Sequence, residues 1–234
     1  MEPYFRFKQF SVRHDRSALK VTTDAVIFGA WLADKIKDAT FILDIGAGCC
    51  LLSLMIAQSN SAAVITALEI DDNSVLDAIE NISHSPWSDR LFVVHQDFNT
   101  YNAKEKFDFI VSNPPFFINS ISSAEKQMAR AKHTISLTYE ALVKGIHESL
   151  LYNGTAALMI PSDNLVYLEM LLSEFSFNVY YKTYISGSLG KKPHIVFLLF
   201  GREQKSETED CIIIRDERNQ YSMAYLNLTK DFYI

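Results

Sequence analysis

The sequence predicts an α/β protein: an open, mostly parallel sheet of seven strands, one of them antiparallel, with helices on both faces. Three observations predict it. From residue 41 onward, short β-type runs alternate with stretches of helical apolar spacing, and such alternation builds parallel strands joined by helical crossovers. The last two strong β runs are separated only by residues 186–193. That is too short for a crossover, so the final strand must turn back antiparallel. Finally, the first β run ends directly in a turn containing Gly46 and Gly48, at the position where open α/β sheets bind ligands.

The elements follow in order. Residues 1–40 form an extension packed on a core of residues 41–234. Within the extension, residues 1–21 are aromatic and basic, while "TDAVIFGAWLADKI" (23–36) reads as a helix capped by Thr22 or Thr23. "FILDIG" (41–46) is strand one and "CLLSLMIAQS" (50–59) a helix. "AVITALEI" (63–70) is strand two, and 72–82 is a helix with Val75, Leu76, Ile79 and Ile82 at helical spacing. Strands three and four are 91–97 and 107–113. A helix over 138–151, strand five at 154–161, a helix over 164–175, strand six at 177–185 and strand seven at 194–201 complete the pattern. "CIIIRD" (211–216) suggests an added edge strand after a polar loop at 202–211, and the polar segment 121–134 is expected to be mobile.

Composition narrows the function classes. A length of 234 residues with 48% apolar and 21% charged residues fits one globular domain with ample core. No apolar run approaches the roughly 18 residues of a membrane span, and "MEPYFRFKQF" lacks a signal peptide's apolar region. A cytoplasmic location is therefore expected, with a monomeric state. The cysteines Cys49, Cys50 and Cys211 show no ligand spacing for zinc, so they read as packing residues and no metal is expected. A net charge of −6 argues against indiscriminate nucleic-acid binding. Yet Arg6, Lys8, Arg13, Arg16 and Lys20 make the first twenty residues locally positive.

The chemistry-bearing residues sit at successive strand ends. Asp44 closes strand one, and Gly46 and Gly48 allow the backbone to approach a ligand without an intervening Cβ. The pyrophosphate fingerprint fails, because Leu51 stands where its third glycine belongs. An acidic Asp44 would repel phosphates and suits a cationic amine, which points to S-adenosylmethionine. Glu69 ends strand two, about 20 residues after the glycine turn, where a carboxylate can accept ribose hydroxyls. Asp71 is a weaker rival. Asp97 ends strand three, placed for an adenine amino group, although a lone Asp there more often caps a loop.

Strand four ends in "NPPF", Asn113 to Phe116. The two prolines fix the backbone, so the Asn113 side-chain oxygen and the Pro114 carbonyl form two rigid acceptors. Pro115 rigidifies Pro114, and Phe116 can stack on a ring. Together they form a clamp for a planar –NH2 that favours a pyramidal nitrogen in the transition state.

These residues resemble a known family. "NPPF" is similar to the motif of adenine-N6 and glutamine-N5 amino-methyltransferases, which share the Rossmann-like class I methyltransferase fold. The block "FKQFSVRHDRSALKVTTDAVIFGAWL" (7–32), followed by "ILDIGAG" (42–48), resembles bacterial tRNA(Val) adenine-N6 methyltransferases. The resemblance covers residues 5 to 200 or so. It implies transfer of a methyl group from S-adenosyl-L-methionine to the N6 of the adenine 3′ of the anticodon. It implies Asp44, Gly46 and Gly48 at the methionine end, Glu69 at the ribose and Asp97 at the adenine, with Lys20, Thr23 and Asp24 closing over the cofactor. A tRNA partner requires cations, and the candidates are Arg13 and Arg16 in the arm, Arg130, Lys132 and His133 after the clamp, and Lys191 and Lys192 before strand seven. The family loop reads Gly-x-Gly-x-Gly, but here Cys50 replaces the third glycine. Its side chain either turns toward the sheet or crowds the cofactor. The rival readings are a protein glutamine-N5 methyltransferase, which carries a larger N-terminal domain, a non-catalytic RNA-binding protein, and a nicotinamide-dependent oxidoreductase.

Overall fold

The structure, a computed structural model, describes residues 3–114 and 137–234. The segment 121–134, expected to be mobile, lies outside the described residues. Strand β3 (Phe41–Ile45) sits at the middle of an eight-stranded sheet. On one side of it lie β4 (Val64–Glu69) and then β5 (Leu91–His95). On the other lie β6 (Phe107–Ser112), β7 (Leu150–Pro161), β9 (Ile195–Gly201), β8 (Asn178–Ser188) and, at the edge, β10 (Thr208–Arg215). Strand β9 is antiparallel to both neighbours, and every other pairing in this sheet is parallel. The turn between β8 and β9 is too short to cross the sheet, as its length predicts.

Both sheet faces are covered, so central strands read as unbroken apolar runs rather than alternating ones. Ile42 packs into one hydrophobic cluster and Leu43 into the other, and neither is exposed. The first face carries α1 (Thr23–Leu32), α2 (Leu51–Ser59) and α3 (Asp72–Ser83). The second carries α4 (Tyr139–Ser149) and α5 (Leu165–Glu174). Every α1 residue from Ala25 to Leu32 is buried. At Gly29 the helix lies so close to α2 that a Cβ would stand 2.4 Å from the Met55 sulfur. Thr22 caps α1 through its hydroxyl, which accepts from the Ala25 N–H at 3.2 Å.

The extension forms a small hairpin, β1 (Tyr4–Arg6) with β2 (Ser11–Arg13), and its rings are packing material. Phe7 and Phe10 stack at 4.6 Å, and Phe10 meets the edge of Trp87 at 5.7 Å. Phe7, Phe10 and Val12 belong to the same buried cluster as α1 and α2. A final helix, α6 (Met223–Thr229), not evident from the sequence, packs on α1 and β10.

Several boundaries moved for physical reasons. Helix α2 starts one residue late because Cys50 adopts a left-handed backbone. Helix α4 ends at Ser149 and strand β7 begins four residues before the expected 154. There Arg202 donates to the carbonyls of Leu150 and Leu151, both at 3.1 Å, and to that of His147. Residues 208–211, expected in a polar loop, pair instead with β8 and lengthen the edge strand.

Polar contacts hold that edge. The ammonium of Lys182 on β8 is met by Glu169 at 2.6 Å, Glu207 at 2.9 Å and Glu209 at 3.5 Å. Burial opposes its charge, but the bonds to Glu169 and Glu207 outweigh that and raise its pKa. Lys182→Met keeps the stem and removes the ammonium. It is expected to lower stability by about 1–3 kcal/mol and to accelerate amide exchange in Thr208–Arg215 ahead of the central strands. Uniform exchange across the sheet would refute this local role.

Candidate active site

The chain reverses its direction of growth across the sheet at β3. It builds β4 and β5 on one side, then crosses to place β6 on the other. The ends of β3 and β6 therefore flank a crevice at the sheet's carboxyl edge. Ile45 is level with Ser112, and the Ser112 hydroxyl donates to the Ile45 carbonyl at 2.7 Å. Asn113 and Pro114 follow at once, Asn113 half-buried and Pro114 buried. Pro115 and Phe116, and likewise Arg130, Lys132 and His133, lie outside the described residues.

The turn after β3 is built from left-handed residues. Gly46 has φ +68°, Gly48 +56° and Cys50 +63°. A Cβ on Gly46 or Gly48 would find nothing within 4 Å, so open space faces both glycines. The N–H groups of Gly46 and Ala47 both reach the Leu68 carbonyl, at 2.9 and 3.0 Å. Cys50 holds a conformation that costs a non-glycine residue about 1–2 kcal/mol. Its side chain is fully buried in the hydrophobic cluster under α1 and α2, so it takes the inward course and leaves the open side of the turn clear.

Carboxylates surround this turn. Glu69 is 8% exposed. Its Oε2 accepts from Gly48 N–H at 2.7 Å, and its Oε1 from Ile70 and Asp71 N–H, both at 2.8 Å. Asp71 itself caps α3, accepting from Ser74 N–H at 2.8 Å. Asp97 is half-buried and caps a short turn, its Oδ1 accepting from the Asn99 backbone at 2.8 Å. Asp44 is fully buried. Its Oδ2 accepts from the Ser53 hydroxyl at 2.7 Å, and its Oδ1 has no partner among the described residues. Burial pushes its pKa up to about 7; the Ser53 bonds oppose this and the Glu69 charge adds to it. A buried carboxylate oxygen without a donor, beside an open glycine turn, fits a cationic amine. Among the described residues no cluster of His, Cys, Asp or Glu is arranged for a metal ion.

The arm closes against the same turn, through residues that sequence reasoning missed. Asn81 on α3 is 3% exposed. It accepts from Arg13 N–H at 2.6 Å and donates to the carbonyls of Arg13 at 2.8 Å and Cys49 at 2.9 Å. It thus ties the arm to the glycine turn. Asp77, fully buried one turn away, accepts from Ser17 N–H and Oγ, both at 2.8 Å, and from Arg16 Nε at 2.6 Å. The only sequence signal was two polar residues on the apolar face of an amphipathic helix.

These contacts give the predicted cations internal uses. Arg13 pairs with Asp15 at 2.7 Å and Glu80 at 3.0 Å, and Arg16 pairs with Asp77 and Glu80. Each guanidinium therefore already has carboxylate partners within the chain. The Lys20 ammonium donates to the carbonyls of His14, Asp15 and Ser17, each at 2.9 Å. It braces the arm's own backbone rather than reaching over the crevice. Thr23 is exposed at the start of α1, and Asp24 meets His194 at 3.3 Å. Lys191 and Lys192 are exposed between β8 and β9, at the carboxyl edge.

The matching family model is that of the methyltransferase small domain, over residues 27–173. The chain belongs to that family. A relative from Bacteroides thetaiotaomicron, named tRNA1(Val) (adenine(37)-N6)-methyltransferase, is 40% identical over 233 residues, covering 99% of this chain and 98% of the relative. Two solved structures share the fold. A predicted O-methyltransferase from Agrobacterium tumefaciens covers 89% of this chain and 96% of its own, at a TM-score of 0.69 and 17% identity. A glycopeptide N-methyltransferase complexed with S-adenosyl-L-methionine covers 79% and 100%, at 0.57 and 14%.

Two outcomes follow from the buried turn. Asn81→Ala leaves one buried and two partly buried backbone groups without this partner and is expected to cost about 1–3 kcal/mol in chemical denaturation. The thiols should also divide cleanly. Burial raises Cys49 to about 12 and Cys50 well above its ordinary value, whereas Cys211 is exposed. A disulfide reagent at pH 8 should therefore titrate one thiol in the native protein and three after unfolding.

Proposed function

We propose that this chain transfers a methyl group from S-adenosyl-L-methionine to the exocyclic N6 of the adenine 3′ of the anticodon in tRNA(Val). The observation that carries this reading is the placement of Asn113 and Pro114 one strand away from the open glycine turn and the unpartnered Asp44 oxygen. The name of its 40% identical relative supports adenine as the acceptor over a protein glutamine. The reading includes a cytoplasmic monomer acting on the anticodon stem-loop, with residues 1–40 as a lid on a catalytic domain of residues 41–234.

The bound cofactor supplies an electrophilic methyl group. Asp44 faces its ammonium, and Gly46 and Gly48 leave room for its methionine end. Glu69 lies toward the ribose and Asp97 toward the adenine; Thr23 and Asp24 stand at the mouth of the crevice. Asn113 Oδ1 and the Pro114 carbonyl accept the two N6 hydrogens of the target base. They would hold the nitrogen lone pair out of conjugation and free to attack the methyl group that the cofactor would supply, with Phe116 as the residue to stack on the flipped ring.

Incubation with tritiated cofactor and a tRNA(Val) transcript tests this directly. Label is expected as N6-methyladenosine, and none in a transcript carrying guanine at that position. Label in both would refute the position, and label in neither would refute the substrate. Asn113→Ala should lower kcat by about 10²–10³-fold with cofactor affinity little changed.

The raised pKa of Asp44 yields a further expectation. In the folded protein without cofactor this carboxyl titrates near 7, above the ordinary 3.8. Its neutral form is therefore favoured by folding. The stability it contributes is complete below about pH 4 and is lost as pH rises through 7. A cationic amine beside it reverses the preference and ionises it. Cofactor binding at pH 6.5 should then release a proton, seen as a calorimetric heat that depends on the buffer. Asp44→Asn should abolish that dependence.

A further inference from the structure

A chain of net charge −6 must gather cations locally to hold RNA, and Arg13 and Arg16 are engaged with Asp77 and Glu80. The arm's other cations lie elsewhere. Arg6 and Lys8 line a groove of about 870 Å³ between the N-terminal hairpin and the segment from Tyr221 to Ile234, and Lys230 faces them from the opposite wall. All three are exposed. The described lining includes no aspartate or glutamate. Asp24 lies beside the lining residue Thr23 but is paired with His194, and the exposed Asp231 follows Lys230 without lining the groove.

The same groove carries a ladder of aromatic rings. Tyr221 and Tyr225 stack at 4.6 Å, Tyr225 meets Tyr233 at 6.3 Å, and Tyr233 meets Phe5 at 6.1 Å. Arg215 caps the ladder, its guanidinium 4.4 Å from the Tyr221 ring centre. Packing of the chain's end explains the buried rings. It does not explain why Tyr221 stays 45% exposed, nor why the charged side chains of the described lining are all cations.

Position supplies the remaining link. Tyr221 bridges to Arg215, which ends β10 level with Ser188 at the carboxyl edge of the sheet. Thr23 opens α1 at that edge and also lines the groove. The groove therefore starts at the carboxyl edge, with β8, β9 and β7 between β10 and the β6 strand that ends at Asn113, and runs away along the α1 face.

We propose that this groove holds the tRNA substrate. Arg6, Lys8 and Lys230 contact phosphates of the strand flanking the target adenine, and Tyr221 offers a face to a base or ribose. The inference rests on the methyltransferase reading above and assigns its RNA surface to residues on neither side of the clamp.

The test compares the wild type with Arg6→Gln/Lys230→Gln, leaving in place Lys8, whose ammonium also bonds the Lys230 carbonyl at 2.5 Å. Fluorescence anisotropy measures binding of a labelled tRNA(Val) anticodon stem-loop from 50 to 200 mM salt. Calorimetry measures cofactor binding, and circular dichroism confirms folding. The variant is expected to lose about tenfold in RNA affinity, with its log–log salt slope shallower by about 1.4 for two lost phosphate contacts and cofactor binding unchanged. A folded variant with wild-type affinity and slope overturns the groove. So does a polyglutamate peptide that competes with the stem-loop at equal charge concentration, because it would make the site a binder of acidic peptides. If the wild type binds the stem-loop tightly but does not methylate tRNA, the catalytic reading fails while the variant's affinity still decides the groove. If the wild type does not bind the stem-loop, the groove falls.

Discussion

The carboxylate of Glu69 is the contact on which the crevice depends. A turn that is left-handed at Gly46, Gly48 and Cys50 has no regular ladder to hold it. The Leu68 carbonyl takes its first two N–H groups, and Glu69 takes the third, at 2.7 Å. Glu69 is in turn fixed by the backbone of Ile70 and Asp71, so the loop inherits the rigidity of β4 and of the α3 cap. The Glu69 charge lies close enough to Asp44 to oppose its ionisation, adding to the larger effect of burial. One side chain thus shapes the turn and helps raise the pKa of the carboxyl beside it.

Helix α3 extends this control to the arm. Asp77 and Asn81 are one turn apart, so both face the same neighbour. Asp77 takes the arm's N–H groups and the Arg16 guanidinium, and Asn81 joins the Arg13 backbone to Cys49. Through these two side chains α3 joins the arm to the glycine turn.

Much of this was legible in the sequence, and the limits have physical causes. The strand–helix alternation and the short turn between β8 and β9 dictated the parallel sheet with its one reversed strand, because chain length restricts connection geometry. The glycine turn and Asn113 were legible because they break local patterns that a packing residue would keep. Strand β10 was half hidden: its first residues, Thr208 to Cys211, are polar and become a strand only by pairing with β8 and Lys182. Helix α6 is only seven residues long, too short to announce itself apart from its partners. The internal partners of Arg13 and Arg16 were not legible, because a sequence displays a cation but not the carboxylate on α3 that meets it more than 60 residues away.

The distribution of charge reconciles an acidic chain with an RNA substrate. Lys182 lies among three glutamates, and Arg13 and Arg16 among Asp15, Asp77 and Glu80. These pairs remove cations from the long-range field of a chain whose net charge is −6. On the proposed reading, repulsion elsewhere sharpens the preference for the aromatic, cation-lined groove between the hairpin and the segment from Tyr221 to Ile234. A uniformly basic enzyme would hold any RNA in many registers, most of them with no adenine near Asn113. On the proposed reading, an acidic chain with a basic, aromatic groove gives up non-specific affinity and gains orientation, because a stem-loop held there binds with its flanking strand leading toward the site.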